Sequence, residues 1–400
     1  MCLFFVLRKV VKMKSAIKTI ALTTSLILVT ACNSTAPINK TAITAINQEK
    51  FSQFHQYDAN SNITLDYAGY GQILSASVID LGMSDRYRIT SHTTTIGTHL
   101  SSNPKPSTAT EANRFYYDSY KDNPKMRQAL QVIQKNMADL PNKINLSNLP
   151  KSELLAYWFN LYNVTVLNEL VQQYPVKNLS KLINEEPSFF DKPRFNFNGN
   201  QYSLNDIEYN IVAPLFNNDP LLIYGYYRGY IGSPNLLNYP YTAKNVFTAL
   251  TNNAVQFVNS NRGSVIDTHS TRVSSLYLEK KNYFPNFEED LADHLQSLVI
   301  QEPDKDQVVQ NLSFSIDNYD ITDILGTDVA YGGGNAVVVD PSIVALGWDK
   351  TFTTYGNHLT KAGTVSTLRR EILKKITQKY YEVNSRVEIT DLPNKESTEN

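Results

Sequence analysis

The chain has 400 residues, with 37 Lys+Arg against 38 Asp+Glu, so its formal net charge is −1. A hydrophobic fraction of 42 % and an aromatic fraction of 11 % exclude disorder as the main state. The balanced charge argues against a nucleic-acid binder, and two cysteines can build neither a disulfide framework nor a four-cysteine zinc site.

In chain order, Met13-Lys14-Ser15-Ala16-Ile17-Lys18 opens a basic segment, followed by a short apolar run and Leu28-Val29-Thr30-Ala31-Cys32. This order resembles a bacterial lipoprotein signal over residues 1–31, with Met13 as the expected start and Cys32 as the lipidated residue. Cleavage removes five basic residues and no acid, leaving a charge of −6 and a body without any thiol beyond Cys32. An acylated Cys32 implies the lipid bilayer as a partner. Asn33 and Ser34, at the lipoprotein sorting positions, imply the outer membrane with the protein facing the periplasm.

Residues 32–50 read as a tether, and 51–110 as short strands or irregular structure, for example Asp85–Ile89. Met126, Leu130, Ile133 and Met137 predict a helix over 124–140, closed by Pro141. Residues 151–174 are apolar almost all round and predict a buried helix. Ser203 and Asp206 predict a capping box opening a short helix that ends at Pro214. Further helices are expected over 242–261, with Gly263 as a stop signal, from Asn286 and Glu289 through Ile300, and along Leu368, Ile372, Ile376 and Tyr380. Ala336–Val339 reads as a strand. The expected architecture is α+β, a helix-rich core over 111–262 with a small mixed or antiparallel sheet. An extension over 263–385 packs on this core, and residues 386–400 form a polar tail.

The chemistry-bearing candidates lie in that core. Asn160 and Asn163 stand three apart on one face of an otherwise apolar helix, where unbonded amides are costly. They either bind a ligand or tie neighbouring loops to the helix. Glu208, on a partly apolar face, needs a cationic partner, for which Arg228 and Arg114 are candidates. Ser233 beside Pro234 reads as a turn residue or a nucleophile. His294, on the Leu291–His294–Leu298 line, reads as a packed histidine. Gly332-Gly333-Gly334 lacks the Lys-Ser/Thr of a phosphate loop. The six histidines (His55, His92, His99, His269, His294 and His358) show no metal-ligand spacing, so neither metal nor cofactor is expected.

Glu153-x-x-Ala156-x-Trp158-x-Asn160-x-Tyr162-Asn163 resembles the opening signature of the domain of unknown function 547 family. Ser203-Leu204-x-x-Ile207-Glu208 is similar to its second motif, and Gly232-Ser233-Pro234-x-Leu236 with Tyr241-Thr242 to its third. The likeness covers roughly residues 110–262, and Glu111–Arg114 with Ser274–Tyr277 resembles extensions of its secreted bacterial branch. The family carries no established activity. Its typical Arg and His after an Asp-Pro pair are replaced here by Leu221, Leu222, Ile223 and Tyr224 after Asp219-Pro220, and its Cys position aligns with Ser233. The expectation is therefore a lipid-anchored binding or scaffold module for a small-molecule or envelope ligand. Its pocket would be built from Asn160, Asn163, Glu208, Arg228 and Ser233. The alternative is an envelope hydrolase using Ser233, which needs a base to accept its proton. The oligomeric state is left open.

Overall fold

The computed structural model describes residues 50–84, 108, 111–121, 123–267, 270–301, 306 and 312–323. These form an α+β fold dominated by helices. Helix α1 (Ala68–Ser77) leads into β1 (Val78–Ile79), which pairs antiparallel with β2 (Arg114–Phe115). Helix α2 (Pro124–Ala138) starts where the Asn123 side chain accepts the Met126 N–H at 3.1 Å, with Pro124 in the first turn, where no donor is needed.

Helix α3 (Lys151–Gln173) is the centre of the core. Leu154 to Leu167 are buried without a break, so no polar face is left for solvent. At its first turn buried Glu153 accepts the Leu65 N–H (3.2 Å) and the Tyr67 hydroxyl (2.9 Å), fastening the preceding segment to the helix. Among the described residues no helix, α3 included, is long and apolar enough to cross a membrane.

Strands β3 (Phe195–Phe197) and β4 (Asn200–Tyr202) form a hairpin turned by Asn198 and Gly199 at φ 51° and 83°. Asn-Gly suits this turn because both positions must take a left-handed backbone. A π-helix (Asp206–Val212) follows, then a 3₁₀ segment (Pro220–Gly225) and helix α4 (Val246–Val258). Strands β5 (Ser264–Asp267) and β6 (Ser270–Ser274) are antiparallel. After α5 (Leu276–Glu279) and α6 (Phe287–Leu298), β7 (Leu312–Ile316) adds parallel to β6. Residues 318–323 then run beside the core: Ile231 donates to Asp320 O (2.8 Å), Gly232 to Asn318 O (2.8 Å), and Thr322 to Gly229 O (3.0 Å). Val273, Leu276, Tyr277, Leu291, Leu295 and Ile321 join one hydrophobic cluster with α3.

The structure departs from the sequence expectations at four places. Residues 68–77, expected as strand or loop, are helical: the glycines and serines of α1 hide its period, and buried Tyr70 and Leu74 hold it. Pro214 does not end its helix but lies inside the turn Ala213–Leu215 that continues it. Helix α4 starts four residues late, because Asn245 Oδ1 accepts the Thr242 N–H (2.7 Å) and makes a turn there. At α6 the carboxylate that caps the backbone is Asp290, taking the Asn286 N–H at 2.7 Å, and not Glu289. The expected strands at 85–89 and 336–339, the helix along 368–380, the Gly332-Gly333-Gly334 run, Cys32 and the terminal tail lie outside the described residues, as do His92, His99, His269 and His358.

Candidate functional site

The two amides of α3 each grip a backbone. Asn160 donates to Tyr241 O at 2.7 Å and accepts from Tyr241 N at 3.0 Å. Asn163 donates to Gly225 O at 3.0 Å and accepts from Tyr227 N at 2.9 Å. All four hydrogen bonds are buried, so the cost of desolvating each amide is offset within the protein. This is the loop-tying alternative among the two sequence readings.

The Gly232–Leu236 loop is held in the same way. The Ser233 hydroxyl is fully buried and donates to Tyr230 O at 2.7 Å. Among the described residues neither a histidine nor a carboxylate bonds it. Arg262 donates to Ser233 O and, at 2.8 Å, to Asn235 Oδ1. Asn253 of α4 donates to Tyr224 O (2.7 Å) and Asn235 O (3.0 Å). His294 bonds a different group: its Nε2 hydrogen-bonds the Tyr224 hydroxyl at 2.9 Å, and burial pushes its pKa down to about 4.

Glu208 and Arg228 are brought together as the sequence suggested. Ser203 and Asp206 exchange the reciprocal capping bonds (2.9 and 3.0 Å) that start the π-helix. Its wider winding is seen where Ala213 N–H donates to Glu208 O, five residues back. This turns Ile207, Glu208, Ile211 and Val212 inward together; π-turns of this kind recur at functional sites. Arg228 enters from the stretch after the 3₁₀ segment. The following Gly229 has φ +87°, and a Cβ there would stand 2.3 Å from Leu170 Cδ1, so only glycine allows this approach to α3.

The third member, Lys280, was not among the sequence candidates. It follows α5 directly and is fully buried, like Glu208; Arg228 is 4 % exposed. Lys280 Nζ meets Glu208 Oε1, and also Tyr209 Oη at 2.9 Å. Arg228 Nη1 lies 3.6 Å from Glu208 Oε2, while its Nη2 donates to Glu279 Oε2 at 2.9 Å. The guanidinium also covers the Phe190 ring at 3.8 Å. The result is an alternating row, Glu279–Arg228–Glu208–Lys280, running inward from a partly exposed carboxylate. Burial and the Arg228 charge pull the Lys280 pKa down to about 8, against the attraction of Glu208. Burial also opposes the Arg228 charge, but Glu279 and its other neighbours outweigh it and keep the guanidinium protonated.

This row is incompletely satisfied. Among the described residues Arg228 Nε and the Tyr162 hydroxyl have no hydrogen-bond partner, whereas Glu208 Oε2 and Arg228 Nη1 face each other at 3.6 Å and the hydroxyls of Tyr226 and Tyr283 bond each other. All three tyrosines are within electrostatic reach of Glu208, and burial raises their pKa values well above the ordinary phenol range. The Tyr230 hydroxyl hydrogen-bonds Arg228. Arg114, the other candidate partner, is instead near Tyr227. Among the described residues no group of three His, Cys, Asp or Glu side chains could hold a metal ion.

Residues 146–258 match the model of a family described as Protein of unknown function, DUF547. The match spans the three motifs, from α3 through the π-helix to α4, and supports the resemblance to the domain of unknown function 547 family. It leaves out Glu111–Arg114 and Lys280. No curated protein and no solved structure matches the chain.

Proposed function

We propose that the chain is a lipoprotein, acylated at Cys32 and held on the periplasmic face of the outer membrane, whose folded body is a binding module for an envelope or small-molecule ligand. The signal-like segment before Cys32 supports the anchor. One observation carries the binding role. The motif amides and the Ser233 hydroxyl are spent on holding loops, whereas Glu208, Arg228 and Lys280 bring three charges into the interior, with Arg228 Nε left without a hydrogen-bond partner among the described residues. Buried charged groups left in this state are costly in a purely structural element.

Two measurements test this. Cys32→Ser is expected to move the protein from the membrane fraction to the soluble periplasmic fraction; retention in the membrane overturns the anchor. A thermal-shift panel of small acids, short peptides, sugars and phosphate is expected to yield at least one saturable rise in melting temperature that Glu208→Gln abolishes. A panel without any response overturns the binding role.

A further inference from the structure

We infer that the folded body rests on the lipid surface through an aromatic patch made of Tyr57, Lys151, Phe216 and Phe247. This rests on the anchored-lipoprotein reading above and names the side of the body that meets the bilayer. Separate parts of the chain build the patch. Tyr57 is held beside the start of α3 because the Asp58 N–H donates to Leu149 O at 3.0 Å. Lys151 opens α3, and Phe247 stands in the first turn of α4. Phe216 comes from the turn that follows the π-helix. That turn closes where Asn217 and Asn218 both take a left-handed backbone (φ 55°) and the Asn218 N–H donates to Ala213 O at 2.8 Å. Lys151 Nζ lies 5.5 Å from the Tyr57 ring centroid and 4.6 Å from that of Phe216, and the Phe216 and Phe247 rings are 6.5 Å apart. Tyr57 is 43 % exposed and Phe247 53 %, so two large rings that the core does not use stand on one contiguous surface.

Position, residue type and ring geometry select a bilayer as the occupant. Residues 50–57 run along the π-helix toward the patch. Lys50 Nζ lies 3.9 Å from Asp206 at the start of that helix, His55 Nε2 bonds Asn210 O at 2.8 Å, and Tyr57 meets the same Lys151 that covers Phe216 just past its end. Eighteen residues separate Cys32 from Lys50. Even fully extended they span at most about 65 Å, so acylation at Cys32 keeps this side of the body within reach of the lipid. Aromatic rings and a lysine are the side chains that settle at headgroup level, the rings toward the acyl boundary and the ammonium toward phosphate. The Phe216 and Phe247 ring planes are inclined at 59°. They form a wedge that enters between headgroups, and not a flat shelf for a sugar ring to stack on.

The test uses the acylated full chain reconstituted into vesicles of phosphatidylethanolamine and phosphatidylcholine, with and without brominated acyl chains. Phe247→Trp puts a reporter on the patch, Val132→Trp puts a reference at an exposed position of α2, and the wild type gives the background. Emission from Phe247→Trp is expected to shift to the blue on reconstitution and to lose most of its intensity to the brominated lipid, while Val132→Trp keeps a solvent-exposed spectrum. Adding Tyr57→Ser/Lys151→Glu to Phe247→Trp is expected to bring the quenching near the reference level while the protein still sediments with the vesicles. Tyr57→Ser alone, a change at an exposed side chain, is expected to act in the same direction. Sedimenting protein in which Phe247→Trp is quenched no more than Val132→Trp, or in which the added substitutions change nothing, overturns the inference and leaves the anchor standing. A blue shift that needs no vesicles and grows with protein concentration also overturns it, by assigning the patch to a second copy. Protein that does not sediment takes down anchor and inference together.

Discussion

Two buried polar regions lie on opposite sides of one architectural choice. Around Asn160, Asn163 and Asn253 the groups are neutral, and each amide is matched to the backbone of a loop. Around Glu208, Arg228 and Lys280 the groups are charged and face chiefly one another, and Arg228 Nε goes unmatched among the described residues. The first arrangement fixes loop geometry at little net cost, because every desolvated group finds a partner. The second gives less certain stability, since the desolvation of buried ions consumes most of their mutual attraction. The comparison teaches that burial of polar residues in this fold is of two kinds, one that matches side-chain amides to loop backbone and one that matches charges to one another.

The largest expected effect falls on the charged region. Lys280→Met leaves Glu208 without the cation on Oε1 and is expected to destabilise the fold by about 3–5 kcal/mol, the usual cost of breaking a buried ion pair. Denaturant unfolding measures this; a loss below about 1 kcal/mol would show that Glu208 is not confined as described. Next comes the neutral region's response to acid. His294 has a folded pKa of about 4, below its ordinary 6.5, so its contribution is complete above pH 6.5 and drains away as pH falls toward 4. The full difference is about 3 kcal/mol. His294→Phe is expected to flatten this part of the stability–pH curve, and an unchanged slope would place the acid sensitivity elsewhere.

Asn163→Ala strands Gly225 O and Tyr227 N and is expected to cost about 2 kcal/mol. A wild-type thermal melt would break the account of the neutral region. The smallest effect is expected from Tyr162→Phe, whose hydroxyl has no hydrogen-bond partner among the described residues: a change within about 1 kcal/mol, neutral or stabilising. If it were as harmful as Asn163→Ala, the contrast between the two regions would collapse.

Much of this was legible in the residues. The apolar period of α2 and the unbroken hydrophobicity of α3 mark those helices because their packing dominates local preference. The Asn160/Asn163 spacing announced shared work, and Glu208's need for a cation pointed to Arg228. What was hidden depends on distance or on backbone detail. Lys280 lies 72 residues from Glu208 in a Glu279-Lys280-Lys281 run that reads as a solvated surface, and nothing local signals its burial. Helix α1 is disguised by Gly69, Gly71, Ser75 and Ser77. The π-turn that aims Glu208 inward depends on a five-residue hydrogen bond that periodicity does not announce.

The strand-like segment 318–323 and the residues Arg262 and Lys280 all stand outside the stretch that matches the family, yet they clamp its third motif and neutralise its buried acid. A fragment trimmed to residues 146–258 would therefore be a torso rather than a domain: it would carry an acid stripped of one of its two cations and a loop without its buttress. Expression boundaries for this protein belong beyond Asp323.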